Sequence, residues 1–314
     1  MPSVAALPLL PEYRSRVWGG RRLRAAEPPI GEAWICYEGS VVAAGADAGA
    51  TLGELAARNG PALCGSRAPD GGRRFPILLK LLDTADWLSV QVHPNDAQAR
   101  RLEGNEACGK TEAWHVLDAA PAARVIAGMR PGTGKAALRR AVERGGPLPL
   151  LCEREVSPGD TLLIPAGTVH APGPGLLLYE VQQMSDLTYR LWDWDRPATA
   201  ERPLHLDQSF AVLNPAASPP LRPAAAPAEG YTPLTGCQYF TLTLLHAERQ
   251  PLRLAPAGGT FHAVTVTAGA AALHGGGWDL PLGRLETALV PACCTEYELT
   301  PAGGACTALL AALP

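Results

Sequence analysis

Five side chains that could bind a cation or transfer a proton recur in short polar motifs of this sequence. Gln91 and His93 alternate with two valines, Lys110 and Glu112 stand two residues apart in GKTEAW, and His170 is near the end of IPAGTVHA. A β-strand points residues i and i+2 to the same face, so each pair is expected to share one side of a strand. Two imidazoles, a carboxylate and an amide oxygen are suitable ligands for a divalent metal such as zinc. The pattern therefore indicates a metal site built from strands.

Each of these side chains also has an ordinary structural explanation. A single histidine on a strand is usually a surface residue or a hydrogen-bonded core residue, so the metal interpretation depends on the combination of motifs. His115 is a rival ligand, because Glu112 and His115 form an E-x-x-H pattern. Residues three apart on a strand face opposite sides, and we therefore leave His115 out of the predicted ligand set.

Short alternating runs surround these motifs and predict a mainly β fold. FPILLKLLDTADWLSVQVHP predicts two strands joined by a turn, and TEAWHVLDAAPAARVIAGM predicts a hairpin with AAPA at its turn. From Leu150 onward, LCEREVSPGDTLLIPAGTVHAPGPGLLLYEVQQ predicts a series of short strands, which favours a sandwich or a barrel over a parallel α/β sheet. SPGD followed by a strand and IPAGTVHA resembles the second half of a cupin motif, a jelly-roll barrel that holds its metal inside.

A few short helices are predicted between the strands. Thr51 is expected to cap LGELAARNG, and Asn95 or Asp96 is expected to cap DAQARRLEG. TGKAALRRAVERGG is the clearest amphipathic pattern, with Thr133 at its start and Gly145 after its end. PLHLDQSFAVL predicts a further helix.

The sequence predicts two cupin-like jelly-roll barrels joined by a linker. We expect a metal-binding catalytic domain with small helical insertions at residues 1–213, a Pro- and Ala-rich linker at 214–233 and a second cupin-like domain at 234–314. PLGRLETALVPACC in the last segment is similar to SPGDTLLIPAGTVH in the first, but it lacks the histidine. The second domain is therefore expected to carry no metal, although any two strands with a glycine turn could produce the same similarity.

Charge, hydrophobicity and cysteine spacing indicate which partners and which cellular compartment to expect. The 314 residues carry a net charge of -3, which gives no sign of a nucleic-acid surface. No apolar run is long enough to span a bilayer, and the N-terminal MPSVAALPLLPEYRSR lacks the features of a signal peptide. The eight cysteines show no CxxC spacing and are expected to be reduced thiols in the cytoplasm.

Several motifs together resemble one family. QVHP, GKTEAW, IPAGTVHA and SDLTYRLWDWDR resemble segments of the type I phosphomannose isomerases in their short bacterial form, and the similarity runs from about Arg16 to about Arg196. The resemblance implies one zinc ion per chain, held by Gln91, His93, Glu112 and His170. It also implies a zinc-dependent isomerase that interconverts mannose 6-phosphate and fructose 6-phosphate through an enediol.

The resemblance implies roles for further residues as well. Arg190 matches the active-site arginine, and Glu180 matches a carboxylate proposed as the base; Lys110 faces the same interior as Glu112 and completes the expected catalytic group. The positions implied in contacts with substrate and phosphate are Ser89, Lys80 and Arg196.

This sequence also departs from the family in two places. Ala171 and Pro172 follow His170, where longer relatives have a tyrosine two residues after the histidine. Ala33 stands in GEAW where many relatives have serine. The first departure leaves open which hydroxyl groups surround the site.

Two other functions would account for part of this pattern. An iron-dependent cupin dioxygenase would use two histidines and one carboxylate, but it would leave Lys110 and Arg190 without a task. A non-catalytic sugar-binding cupin would not need Lys110, Glu180 and Arg190 together. The expected partner is a small sugar phosphate, with no nucleic acid and no membrane, and the chain is expected to be a monomer or a weak homodimer.

Overall fold

The computed structural model describes residues 5–197, 199 and 202–314, and it confirms a mainly β chain with a few short helices. The strands before residue 200 are β1 Leu7–Leu9, β2 Glu12–Gly20, β3 Ile30–Cys36, β4 Ile77–Asp83, β5 Val90–Val92, β6 Glu112–Ala119, β7 Arg124–Met129, β8 Leu151–Glu155, β9 Thr161–Ile164, β10 His170–Pro172, β11 Leu176–Gln183 and β12 Tyr189–Trp192. The later strands are β13 Leu221–Arg222, β14 Gly230–Gly236, β15 Thr241–Ala247, β16 Leu252–Leu254, β17 His262–Ala268, β18 Ala271–Gly275, β19 Trp278–Leu282, β20 Thr287–Val290, β21 Tyr297–Pro301 and β22 Cys306–Ala312.

The helices lie in segments between strands, and the sequence predicted each of them except Pro61–Cys64. They are α1 Leu52–Asn59, α2 Pro61–Cys64, α3 Asp96–Glu103, α4 Lys135–Glu143 and α5 Leu206–Val212, with 3-10 turns at Pro69–Gly72 and Leu148–Leu150. The capping boxes of Thr51 with Glu54 and of Asn95 with Gln98 begin α1 and α3 as predicted. Helix α4 begins after Gly134 rather than at Thr133. No helix among the described residues is long and apolar enough to cross a membrane.

The chain forms two compact units, and each is discontinuous in sequence. Unit 1 consists of Met1–Glu12, Ala33–Lys80 and Ala225–Pro314, and unit 2 consists of Tyr13–Glu32 and Leu81–Ala224. These bounds differ from the predicted domains 1–213 and 234–314, because residues 33–80 group with the C-terminal segment. The predicted linker contains β13 and the first residues of β14. The division into two domains at 214–233 stays a prediction.

Unit 2 is built from two antiparallel sheets. One has the order β12-β5-β10-β7-β8, and the other has the order β13-β9-β6-β11-β4-β3-β2. Of strands β3 and β4, only residues 30–32 and 81–83 belong to unit 2. In unit 1, one sheet has the order β1-β20-β17-β22-β15-β14 and another has the order β16-β21-β18-β19. Among the described residues none of these sheets closes on itself, so closed barrels are not seen, and the jelly-roll assignment stays a prediction.

Strands β6 and β7 correct the predicted hairpin. They follow one another through residues 120–123, but β6 pairs with β9 and β11, whereas β7 pairs with β8 and β10. The turn therefore carries the chain from one sheet of unit 2 to the other. A turn pattern between two alternating runs shows that the chain reverses, but it does not show which strand each run pairs with.

The alternation of side chains along β5, β10 and β12 separates an apolar face from a polar one. Apolar residues of these strands pack in a cluster with α4 and α5; its buried members include Val90, Val92, Val169, Ala171, Leu191, Leu138 and Val212. The intervening positions of the same strands are Gln91, His170 and Arg190. Because apolar packing fills one face of these strands, the opposite face is available for polar chemistry.

Candidate functional site

Two histidines and one carboxylate converge inside unit 2. His93 lies directly after β5, Glu112 begins β6 and His170 begins β10, and all three are at most 1% exposed. Their potential ligand atoms lie within 4.8 Å of one another. His93 Nε2 is 3.4 Å from Glu112 Oε2, and His170 Nε2 is 3.3 Å from Glu112 Oε1. The structure thus brings together three of the four residues predicted as metal ligands.

The turn before β10 holds the backbone of His93 and the imidazole of His170. Gly167 has φ +86°, a left-handed conformation that favours glycine, and its N–H donates to the carbonyl of His93 at 2.8 Å. His170 Nδ1 lies 2.8 Å from the carbonyl oxygen of Thr168. Since a carbonyl only accepts, Nδ1 carries the proton, and Nε2 keeps its lone pair toward Glu112.

Gln91, the fourth predicted ligand, lies beside this cluster on the same sheet face. It pairs with His170 on β10 and with Arg190 on β12. Directly paired residues of an antiparallel sheet project to the same side, so Arg190, Gln91 and His170 form one row. Gln91 is partly buried, and its role as a ligand stays a prediction.

Lys110 supplies a buried positive charge next to the carboxylate. Its Nζ lies 2.9 Å from Glu112 Oε2, and the lysine is 4% exposed. Burial alone would raise the pKa of Glu112, but the charge of Lys110 holds this pKa well below its usual range. Burial would lower the pKa of Lys110, whereas Glu112 and Glu180 raise it. The pair is therefore ionised.

The two histidines are held neutral. Burial, together with the charge of Lys110, lowers the pKa of His93 to about 3, and burial also lowers the pKa of His170. Neutral imidazoles carry the lone pairs that a metal ion requires. The site therefore offers two neutral nitrogens and one charged carboxylate at neutral pH.

Unsatisfied buried atoms in the cluster fit a metal ion. Among the described residues, both ring nitrogens of His93, Nε2 of His170 and Oε1 of Glu112 have no hydrogen-bond partner. Leaving one such atom buried without a partner costs about 1–3 kcal/mol, so a concentration of them is expected to serve a ligand. Imidazole and carboxylate donors suit zinc and other divalent transition metals.

Glu180 and Trp114 form the next row of the sheet. Glu180 on β11 pairs with Trp114 on β6, and Trp114 Nε1 donates to Glu180 Oε2 at 3.0 Å. Glu180 is 4% exposed. The row containing Glu112 lies two residues away on β6, so the predicted base and the carboxylate of the cluster share one face of this sheet.

The residues predicted to contact phosphate are more dispersed. Ser89 is buried two residues before Gln91. Arg196 is bound by Asp193, by Asp86 at 2.7 Å and by the carbonyl of Trp87 at 2.8 Å. Lys80 belongs to unit 1, where its Nζ lies 4.9 Å from the ring centroid of Trp34. Their contacts with substrate stay predictions.

One polar residue on this face was not predicted. Gln182 pairs with Glu112 across β11 and β6 and is fully buried. It stands two residues after Glu180, and the same spacing selected Gln91 with His93 and Lys110 with Glu112. This spacing could have identified Gln182 from the sequence.

His115 lies outside the cluster, as predicted. Its Nδ1 lies 2.9 Å from the hydroxyl of Thr161, its partner on β9. The group of potential metal ligands found among the described residues consists of His93, Glu112 and His170. The alternation of side chains along β6 therefore separates His115 from Glu112, for the reason given from the sequence.

Comparison with known proteins places the chain in a family. Residues 7–113 match the family described as phosphomannose isomerase type I, catalytic domain. The mannose-6-phosphate isomerase of Streptococcus mutans is 36% identical over 245 residues, which cover 74% of this chain and 75% of that protein. The mannose-6-phosphate isomerase ManA of Bacillus subtilis is 42% identical over 214 residues, covering 65% of this chain and 66% of that protein.

A solved structure extends the similarity over nearly the whole chain. The crystal structure of the mannose 6-phosphate isomerase from Bacillus subtilis matches with a TM-score of 0.84 and 27% identity, covering 98% of this chain and 99% of that one. The motifs, the buried cluster and these relatives agree: this chain belongs to the type I phosphomannose isomerase family.

Proposed function

We propose that this chain is a metal-dependent aldose–ketose isomerase that interconverts mannose 6-phosphate and fructose 6-phosphate. The observation that carries the proposal is the buried cluster of His93, Glu112 and His170, with Lys110 against the carboxylate. Its relatives from Streptococcus mutans and Bacillus subtilis are named for this reaction. Family membership favours the isomerase over a cupin dioxygenase and over a non-catalytic sugar-binding protein.

His93, Glu112 and His170 would hold one zinc ion per chain, with Gln91 as the fourth ligand. When bound, such an ion would polarise oxygens of the sugar. The chain itself supplies neutral imidazoles and an ionised carboxylate in a buried site. These groups need no change of protonation at neutral pH before they bind a cation.

Glu180 is the proposed base. The isomerisation removes the proton on C2 of the open-chain aldose, the electron pair forms the C1–C2 double bond of an enediol, and the carbonyl oxygen gains a proton. Return of a proton to C1, with loss of the proton of the C2 hydroxyl, then gives the ketose. The bond from Trp114 Nε1 orients the carboxyl group of Glu180 for this transfer.

Lys110 and Arg190 are the proposed stabilisers of developing negative charge. An ammonium and a guanidinium that are fixed before the reaction stabilise an enediolate more effectively than mobile water does. Arg190 is held by a hydrogen bond from Nη1 to the carbonyl of Pro203 at 2.9 Å. Its place in one row with Gln91 and His170 directs it toward the same face of the sheet.

Further parts of the proposal rest on resemblance and sequence pattern. Ser89, Lys80 and Arg196 would contact the substrate and its phosphate. Residues 1–213 and 234–314 would form two cupin-like jelly rolls, with the metal in the first only. The chain would act in the cytoplasm as a monomer or a weak homodimer, without nucleic acid or membrane, in keeping with its eight free cysteines.

A coupled assay tests the reaction. Protein loaded with zinc should convert mannose 6-phosphate to fructose 6-phosphate, and His170→Gln should lose both bound metal and activity. His246→Gln is a matched control, because His246 is a partly buried histidine of unit 1 that contacts Thr307. Binding of the sugar without turnover would indicate a sugar-binding protein, and oxygen consumption by iron-loaded protein would indicate a dioxygenase.

A further inference from the structure

In the amide group of Gln182, the nitrogen has hydrogen-bond partners among the described residues, but the oxygen has none. Its Nε2 donates to the carbonyl of Gln183 at 3.1 Å and also to the carbonyl of Ser185. Its Oε1 is buried and has no hydrogen-bond partner among the described residues. The side chain as a whole is 0% exposed. An amide oxygen has two lone pairs, so Gln182 retains its full acceptor capacity inside the protein.

The two carbonyls also fix the orientation of this amide. If the group were turned over, Oε1 would face two carbonyl oxygens, and three acceptors would meet without a donor. The amide nitrogen therefore stays on the side of the 183–185 turn. The oxygen is directed away from that turn, and it cannot rotate without losing both hydrogen bonds.

Residues 183–185, which hold the amide, are hydrogen-bonded to residues that precede β6. Gln183 Oε1 accepts from the N–H of Thr111 at 2.9 Å, and its Nε2 donates to Asp96 at 3.0 Å. Ser185 Oγ donates to the carbonyl of Cys108 at 3.0 Å. An acceptor supported in this way is ordered before any ligand arrives, which lowers the entropy lost on binding.

Strand pairing places Gln182 on the face of the sheet that carries Glu112 and Glu180. Gln182 is directly opposite Glu112, and paired residues share a face of the sheet. The adjacent row demonstrates this, since Trp114 and Glu180 are also directly opposite and are joined by a side-chain hydrogen bond of 3.0 Å. Gln182 therefore projects to the side that carries Glu112 and Glu180.

We propose that Gln182 is a substrate-binding residue whose Oε1 accepts a hydrogen bond from one hydroxyl of the sugar phosphate. This inference rests on the proposed isomerase function. Lys110 and Arg190 are donors only, whereas each sugar hydroxyl must also donate its own hydrogen. A fixed, buried acceptor serves that need, and it selects against an analogue without the hydroxyl because the oxygen would then be left unpaired.

The test combines one substitution with a series of inhibitors. Gln182→Met is nearly isosteric and removes the acceptor; Gln183→Met is the matched control, because it disturbs the same turn from the neighbouring position. The probes are mannose 6-phosphate and analogues that each lack one ring hydroxyl. Inhibition constants, KM, kcat and bound metal are measured for each zinc-loaded protein.

We expect Gln182→Met to raise KM about 3- to 10-fold, the range that one neutral hydrogen bond gives, with kcat changed less and metal retained. One analogue should bind equally well to wild type and Gln182→Met, because it lacks the hydroxyl concerned. Gln183→Met should weaken all probes by the same factor. Uniform weakening by Gln182→Met, an unchanged KM, or loss of metal would overturn the inference.

Wild-type protein provides a second test that does not depend on a variant folding. One analogue should bind about 3- to 10-fold more weakly than the parent sugar phosphate. Equal binding of the whole series would reject the role of Gln182. A wild-type protein that binds the sugar but does not isomerise it would reject the proposed function instead, and the same binding series would still decide the role of Gln182.

Discussion

Lys110 Nζ lies 2.9 Å from Glu112 Oε2, and both side chains are buried. Burying either charge alone would be unfavourable, and each offsets the cost of the other. A cation bound by Glu112 would share this carboxylate with Lys110. The ammonium balances the charge of Glu112, and its proposed second task is to donate to an oxygen of the reacting sugar.

Replacing Lys110 by methionine separates these tasks. We expect Lys110→Met to keep its metal, because the carboxylate remains available, and to lose turnover by about 10²–10³, the usual effect of removing one electrostatic stabiliser. The measurement is kcat together with the metal content of purified protein. Lys135→Met is the control, since Lys135 bonds the carbonyl of Phe210 on the helical side of unit 2. Unchanged turnover in Lys110→Met would show that Lys110 balances the charge of Glu112 but does not act on the sugar.

Arg190 should act in the transition state more than in substrate binding. An interaction that exists only with the enediolate lowers kcat when it is removed, whereas a grip on the phosphate raises KM. We expect Arg190→Ala to fold, keep its metal and lose turnover by about 10²–10³. Arg253→Ala, at an exposed arginine paired with Glu298, is the control. A rise of KM alone would make Arg190 a positioning residue for the substrate.

Gly167 tests how far the turn before β10 determines the site. A side chain at this φ of +86° is strained, and its Cβ would meet the carbonyl of Val212 at 3.2 Å. We expect Gly167→Ala to lower the free energy of unfolding by about 1–3 kcal/mol and to weaken metal binding through His93 and His170. Gly146→Ala is the control, because a Cβ there meets no atom within 4 Å. If Gly167→Ala is destabilised but binds metal with unchanged affinity, the turn does not determine metal binding.

His262 should make the folded state sensitive to acid. Burial lowers its pKa to about 4, and its Nδ1 lies 3.0 Å from the hydroxyl of Tyr297. The unfolded histidine titrates near 6.5, so below that pH the unfolded state takes up a proton that the folded state does not, and stability falls until the pH reaches about 4.

The contribution of His262 can be isolated by substitution. Between about pH 7.5 and about pH 5, His262→Gln should lose about 2 kcal/mol less stability than wild type. Denaturant unfolding at the two pH values measures the difference, and glutamine can still bond the tyrosine hydroxyl. The same loss of stability in both proteins would show that His262 titrates normally in the folded state.

Local patterns in the sequence predicted much of the site. Two-residue spacing predicted that Lys110 and Glu112 share a face, and capping residues predicted α1 and α3, because these features depend on neighbouring residues only. Spacing along one strand could not predict that β6 and β7 belong to different sheets. The grouping of residues 33–80 with the C-terminal segment also depends on contacts between distant parts of the chain. Gln182 was missed although its spacing was visible, because glutamine is seldom singled out without a motif around it.

Titration of metal-free protein with zinc is the most direct test of the central claim. Chelator-treated protein should show no isomerisation of mannose 6-phosphate, and activity should rise in proportion to added zinc and level off at one equivalent per chain. Because His93, Glu112 and His170 form the group of potential ligands found among the described residues, His93→Gln should give no such rise. Full activity in metal-free protein, or a rise that continues to two equivalents, would contradict the account.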